Sequence, residues 1–304
     1  MKASPILSGL YIYPVKSLSG IALDRATLTG EGLLMDRRWV VTDERGRFIT
    51  QRDCPSMATL STALDREHLT IRAPDGRRLF VSRSVPKGAP DRVRIFKSEC
   101  EGLDEGEEAA AWLGRVLGRP ARLKRVPPIN RRRVSPSRLK GHVAFTGFAD
   151  GYPLLVASSA SLSMLNARLR FQGQPAVPMA RFRPNLVLDA APPFAEHEAT
   201  ALCGEGFTLW LCKPCERCRV ITVDQASGEI PRPGEPLATL AELENIAAPA
   251  PFSVKTPLHG RGRAVGSNGA CRCALHRGSP GGRALICWAR LTGRKGLGTQ
   301  GSIQ

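Results

Sequence analysis

From residue 6 onward the apolar residues come in short runs, each closed by a turn signal, and that punctuation most restricts what the chain can fold into. Arg38-Trp-Val-Val-Thr42 and Arg47-Phe-Ile-Thr-Gln51 flank Asp43-Glu-Arg-Gly46. Leu69-Thr-Ile-Arg-Ala73 and Arg78-Leu-Phe-Val81 flank Pro74-Asp-Gly76 in the same way. Both pairs read as hairpins, because Asp and Gly supply the backbone conformations that tight turns require. Ile6 to Tyr13, Tyr152 to Ala157, Asn185 to Asp189 and the alternating Phe207-Thr-Leu-Trp-Leu211 read as further strands, and Val220 to Val223 as a strand returning after a turn. Two helices interrupt this pattern. Glu107 to Leu117 would place Ala110, Leu113, Val116 and Leu117 on one face and stop at Gly118 and Pro120. Ser158 would cap a second helix to Leu169, with Leu162, Leu165 and Leu169 inward. The expected class is α+β and strand-dominated, two barrel-like β domains with a few helices.

The length of 304 residues fits about two domains. We place them at residues 1–124 and 125–244, with Arg125 to Arg133 read as a solvated basic linker and residues 245–304 as an atypical basic tail. Hydrophobic residues make up 42%, enough for real cores, and with 6% aromatic those cores are mostly aliphatic. No apolar run reaches the roughly 20 residues that span a bilayer. The start lacks the apolar block and cleavage site of a signal peptide, so a cytoplasmic protein without membrane attachment is expected. The net charge of +17 suggests a polyanion partner until it is divided along the chain. After Glu244 there are nine Lys or Arg and no acid, which leaves +8 for the first 244 residues. That balance suits a small anion as well as a nucleic acid.

Nine cysteines are an odd number and they cluster, which fits metal or redox use of thiols better than a disulfide framework. Leu211-Cys-Lys-Pro-Cys-Glu-Arg-Cys218 sets three of them three residues apart beside basic side chains. Positive charge favours the thiolate, the form that binds soft metals and attacks electrophiles. With Cys203 upstream, a zinc knuckle is one reading, although four-thiolate zinc sites usually draw on two separated pairs. A fixed turn presenting one thiol outward is the other. Tyr13-Pro-Val-Lys-Ser-Leu-Ser-Gly20 reads as a loop offering a charge, hydroxyls and backbone N–H groups to an anion. Met35-Asp-Arg-Arg-Trp39 and Arg181-Phe-Arg-Pro-Asn185 add further cations before strands. The five histidines show no ligand spacing, and dinucleotide-binding and P-loop patterns are missing.

The ordered set Tyr13-Pro-Val-Lys-Ser17, Asp36-Arg-Arg-Trp39, Phe48-Ile-Thr-Gln-Arg52, Phe148-Ala-Asp-Gly-Tyr-Pro153, Phe182-Arg-Pro-Asn185, Lys213-Pro-Cys-Glu-Arg-Cys218 and Thr222-Val-Asp224 resembles a MOSC-domain protein with a MOSC N-terminal β-barrel domain. The resemblance covers roughly residues 6 to 243. It is to the molybdenum-cofactor group that includes the amidoxime-reducing component. It implies a molybdenum-pterin (Mo-molybdopterin) cofactor with Cys218 as the metal's thiolate ligand. Lys16, Ser17 and Arg37 would anchor the pterin phosphate, Arg183 and Asn185 would hold the cofactor from the second domain, and Asp150 would sit near the metal in a catalytic role. The implied activity is reduction of small N-hydroxylated compounds: amidoximes, hydroxylamines and N-hydroxylated base analogues. No ferredoxin-like run of four cysteines is present, so there is no intrinsic iron–sulfur cluster and electrons would come from a separate redox protein. Two alternatives stand beside this. One is a non-redox carrier of the molybdenum cofactor or of sulfur, and the other a basic zinc and nucleic-acid-binding protein. The family's Phe-Gly-Gln-Asn stretch and Gly-x-Ile-x-Val-Gly-Asp strand are not recognisable after Leu243. The acid-free tail is what a reading-frame shift near residue 244 in GC-rich DNA would produce.

Overall fold

The structure, a computed structural model, describes residues 5–129, 132–139, 143–189, 192–204 and 207–247, together with the short strands 261–264, 273–276 and 287–289. It is strand-dominated, with four α-helices among the described residues. An eight-stranded sheet runs in the order Cys287–Ala289, Ala201–Gly204, Phe207–Pro214, Arg261–Ala264, Leu154–Ser158, Leu186–Asp189, Ile6–Ile12 and Ile21–Ala22. The first strand therefore lies among strands of the second segment: Ile6 to Leu10 pair antiparallel with Asp189 to Leu186. Their side chains share one core, where Leu7, Leu10 and Ile12 meet Leu154, Val156, Leu186, Leu188 and Leu209. A fully buried Leu contributes about 1.5–3 kcal/mol relative to exposure, so this packing fixes the strand firmly.

A second core belongs to the first segment. A sheet of Trp39–Thr42, Arg122–Arg125, Ser98–Asp104 and Asp91–Ile95, and another of Ser61–Leu64, His68–Arg72 and Arg78–Ser82, enclose it. Trp39, Met57, Leu69, Ile71, Trp112 and Leu113 fill its centre. The helix Glu107–Leu117 has the expected limits: two acids in its first turn favour the positive helix end, and Gly118 closes it at φ 66°. Leu113, Val116 and Leu117 face the core as expected, and Ala109 and Trp112 join them in place of Ala110. The helix Ser159–Phe171 starts as expected, with the Ser158 side chain accepting from the Ser161 N–H. A further helix, Leu237–Ala247, has no counterpart in the sequence reading. It packs Leu240 and Leu243 against Leu165 and Leu169.

Two expectations need correction. Val220 to Val223 is not a returning strand, since Arg219–Thr222 forms a single 3₁₀ turn. The strand Phe207–Pro214 pairs instead with Ala201–Gly204 and Arg261–Ala264, so Val220 has no open edge to join. Two arginines of the basic run are not solvated as expected, although Arg133 is exposed. Arg125 is buried, pairs with Glu105 at 2.6 Å and lies 4.9 Å from the Trp39 ring. Arg132 donates to the carbonyls of Gly147 and Ala149, both at 2.6 Å. The tail expected at 245–304 lies mostly outside the described residues, and with it any trace of a shifted frame. Its described strands each add to an edge or gap of a sheet.

Candidate anion and thiol site

Three backbone segments converge where the two cores meet. Lys16 N–H donates to the Trp39 carbonyl at 2.8 Å, and Arg37 N–H to that of Tyr13 at 2.8 Å, so the loop after the first strand is laced to residues 36–39. Phe148 N–H donates to the Arg37 carbonyl at 2.9 Å, which brings in the Phe148-Ala-Asp150 stretch. Gly147 allows this approach: a Cβ there would lie 2.7 Å from the Arg37 carbonyl oxygen. The lacing also narrows the expected cradle of backbone N–H groups, because those of Lys16, Leu18 and Ser19 are taken by carbonyls. Side chains, not the loop backbone, must supply most of the anion-binding capacity.

Those side chains are held with care. Ser17, Arg37 and Arg183 have φ of 70°, 48° and 54°, in the left-handed region that non-glycine residues seldom occupy. Each such residue costs about 1 kcal/mol or more, and such costs cluster at functional sites. Arg37 pairs with buried Asp36, whose other oxygen accepts the Tyr13 N–H at 2.7 Å. Burial works against the charge of Arg37, but Asp36 outweighs it and raises its pKa. The Arg37 and Arg183 guanidinium groups lie 4.9 and 4.3 Å from the Tyr13 ring. Tyr13 donates its hydroxyl to the Pro184 carbonyl at 3.2 Å, and burial, opposed by the two arginines, pushes its pKa up to about 12. It is a neutral post between two cations, not a base.

Asn185 is fully buried and its amide bonds to the scaffold on three sides. It accepts from Arg37 at 3.2 Å and from Leu155 N–H at 3.1 Å, and donates to the Tyr11 carbonyl at 3.1 Å. It acts through Arg37. Lys16, 7% exposed at its side chain, pairs with Asp150, which is 68% exposed. Burial lowers the Lys16 pKa, with Asp150 opposing it. The partial desolvation of the Asp150 carboxyl by its neighbours would raise it, but the charges of Lys16, Arg37 and Arg52 hold it below the ordinary carboxylate range. At neutral pH it is a charge partner and a poor acid.

Arg183 is the unbalanced member. It makes no ion pair among the described residues, its one side-chain hydrogen bond being 3.5 Å to the neutral Gln225 amide. Burial and the nearby Arg37 bring its pKa down to about 10, despite the opposing Tyr13 and Asp36. A half-buried cation without a counter-charge is unfavourable, and a bound anion would supply one.

The thiol turn packs on the same rim. Cys218 is exposed and begins the 3₁₀ turn Arg219–Thr222. Its two neighbours fix it: Arg217 donates to the Phe182 carbonyl at 3.0 Å, one residue from Arg183, and Arg219 to the Arg52 carbonyl at 2.9 Å. Two other guanidinium nitrogens of Arg217 are buried with no partner among the described residues. Arg181 pins the far end through the Thr222 carbonyl and the Asp224 carboxylate, at 3.3 and 2.9 Å. Among the described residues no group of three or more His, Cys, Asp or Glu side chains is placed to hold a metal ion, so the zinc reading gains no geometric support.

The sequence reading missed the clasp that joins the two halves. Gln51, fully buried, donates to the Ser17 carbonyl at 2.8 Å and exchanges hydrogen bonds with Gln225 at 3.2 and 3.0 Å. Gln225 in turn faces Arg183. A pair of glutamines 174 residues apart carries no local signal. Gln51→Leu keeps the volume but orphans a buried carbonyl and an amide, at a cost of about 1–3 kcal/mol. Thermal unfolding should show that loss, and an unchanged Tm would mean the clasp contributes nothing.

Compared with known families, residues 4–120 match the MOSC N-terminal beta barrel domain and residues 146–255 the MOSC domain. The chain is 34% identical over 242 residues to mitochondrial amidoxime-reducing component 1 of Homo sapiens, covering 76% of this chain and 69% of that protein. Against the Mus musculus protein it is 32% identical over 276 residues, covering 86% and 78%. It is also 30% identical over 270 residues to the molybdenum cofactor sulfurase of Solanum lycopersicum, covering 83% of this chain. Of that sulfurase it spans 33%.

Proposed function

We propose, from the premise that this chain belongs to the MOSC-domain family, that it is a molybdenum-cofactor oxidoreductase acting on N-hydroxylated compounds. Membership ties its function to the molybdenum cofactor at the family level. The finer activity, reductive removal of the hydroxyl from amidoximes, hydroxylamines or N-hydroxylated base analogues, is our reading. So are a cytoplasmic site of action and a separate redox protein as electron donor. No helix among the described residues is long and apolar enough to cross a membrane.

One observation carries the reading. A half-buried arginine without an ion pair among the described residues, Arg183, stands with Arg37 and Lys16 beside a turn that exposes a single thiol, Cys218. An anionic, metal-bearing cofactor fits that donor set in charge and in ligand type. In the proposal Lys16, Ser17, Arg37 and Arg183 hold the pterin phosphate end, and Asn185 orients Arg37. Cys218 ligates the metal. When bound, the molybdenum-pterin group supplies the two-electron couple that the reaction needs. The overall change is R–NHOH plus two electrons and two protons giving R–NH2 and water. Asp150, ionised and paired, keeps Lys16 in place and balances charge beside the reacting centre. Tyr13 holds its proton and spaces the two guanidinium groups.

The test is metal content. Expressed in a host that makes the molybdenum pterin, the chain should carry close to one molybdenum, read by elemental mass spectrometry. Lys16→Ala should lower that occupancy by about 10-fold, of the order expected when a group supporting a metal site is lost. A chain that takes up no molybdenum would end the proposal. The sulfurase relatives favour a second reading, a receiving module for the cofactor or its sulfur. A persulfide on Cys218, without turnover of any N-hydroxylated compound, would select it.

A further inference from the structure

Phe96 holds a backbone conformation that its residue type does not favour. It opens the two-residue turn between strands Asp91–Ile95 and Ser98–Asp104 with φ 53°, a conformation that hairpin turns usually give to Gly or Asn. Its ring is 44% exposed, so burial does not compensate for the strained backbone. What the turn does is set the ring edge-on against Phe48, with centroids 4.9 Å apart and planes at 64°. The Arg52 guanidinium lies 4.8 Å from the Phe96 centroid and 5.5 Å from that of Phe48. Arg52 makes no ion pair among the described residues, so its remaining N–H groups are available to a ligand.

This aromatic and cationic patch is continuous with the site already described. Lys16 lies 5.4 Å from the Phe48 centroid while pairing with Asp150. The Arg52 carbonyl accepts the hydrogen bond from Arg219, the residue after Cys218. A flat ring laid on Phe96 would meet the quadrupole of a phenyl face and the N–H edge of a guanidinium together. An aliphatic group of the same length could use neither.

We propose that Phe96, Phe48 and Arg52 form a stacking shelf that selects substrates bearing a planar aromatic group next to the reacting nitrogen. That the ligand is a substrate rests on the reductase reading; the shelf itself does not. Phe96 is the specificity-determining residue, and Arg52 orients the stacked ring through its edge.

The experiment uses the full chain expressed with its cofactor supply, and two unreactive probes with the same polar head, benzamide and acetamide. Affinities come from NMR chemical-shift titration. The wild-type chain should bind benzamide at least 10-fold more tightly than acetamide. Phe96→Ala should abolish that preference in a chain that still unfolds cooperatively on heating, and Phe96→Trp should retain it. In parallel, KM should favour benzamidoxime over acetamidoxime, with Phe96→Ala raising KM for the aromatic compound alone. Equal affinity for the two amides, or a preference that survives Phe96→Ala, overturns the shelf. Benzamide preference in a chain that reduces no N-hydroxylated compound keeps the shelf and removes only the reductase. Turnover of both amidoximes with equal KM removes the shelf and leaves the reductase standing.

Discussion

Cys218→Ser should strip the chain of molybdenum and reduce turnover by at least about 100-fold, beyond what loss of a supporting group does to a metal site. The fold should not notice. The thiol is exposed and makes no capping hydrogen bond at the start of its 3₁₀ turn, where serine is well tolerated. A surface exchange of this kind usually stays within about 0.5 kcal/mol. Retained structure with lost metal is therefore the signature, read from thermal unfolding and elemental analysis of the same sample. Cys215→Ser is the matched control. Cys215 donates weakly to the Glu216 carbonyl at 3.6 Å, and its replacement should leave molybdenum in place. Equal loss from both variants would mean that the ligand has been misassigned within the turn.

Asp36→Asn should damage fold and site together. The carboxylate neutralises Arg37 and anchors the Tyr13 N–H, and both partners are largely buried, at 14% and 3% side-chain exposure for Arg37 and Asp36. Asparagine can keep the backbone contact, but it removes the counter-charge and can turn an N–H toward the guanidinium. Removing one member of a buried pair costs about 3–5 kcal/mol, because the other charge stays buried and alone. In a chain of this size that lowers Tm by roughly 6–15 °C. Arg37 also loses its fixed orientation, retaining hydrogen bonds to Asn185 at 3.2 Å and the Arg183 carbonyl at 3.5 Å and its place over the Tyr13 ring. Molybdenum content of the folded fraction should fall with it. A variant with wild-type Tm and full metal content would show that Asp36 does not organise the site.

How much of this was legible beforehand varies with the distance over which the information travels. The helix Glu107–Leu117 and the Ser158 cap are written locally, in acids, a glycine and a hydroxyl at fixed offsets, and both appear where the residues put them. The strand-dominated class follows from the same punctuation. The site was legible as a set of motifs: Lys16, Arg37, Arg183 and Cys218 could be named as cations and a thiol of unusual company, and a family resemblance gave them roles. That Asn185 bonds Arg37, Leu155 and Tyr11, that Asp150 faces Lys16, and that Arg132 braces the 147–149 backbone were not in the motifs.

The sequence by itself determined the strand-dominated class, the helices Glu107–Leu117 and Ser159–Phe171, the cation-rich loops and the outward cysteine turn. Each depends on interactions within a few residues, where periodicity and turn chemistry leave a readable trace. Only the tertiary structure decided that the strand Ile6–Ile12 joins the second segment's sheet, that Val220 to Val223 curls into a 3₁₀ turn, and that Gln51 meets Gln225. Strand partners are chosen by how the whole apolar pattern can be buried at once, and local alternation is the same whichever partner wins. The left-handed backbone at Ser17, Arg37, Phe96 and Arg183 lay beyond the residue pattern for a related reason. No local preference favours it there, and it persists because the packed surroundings hold each side chain toward the site.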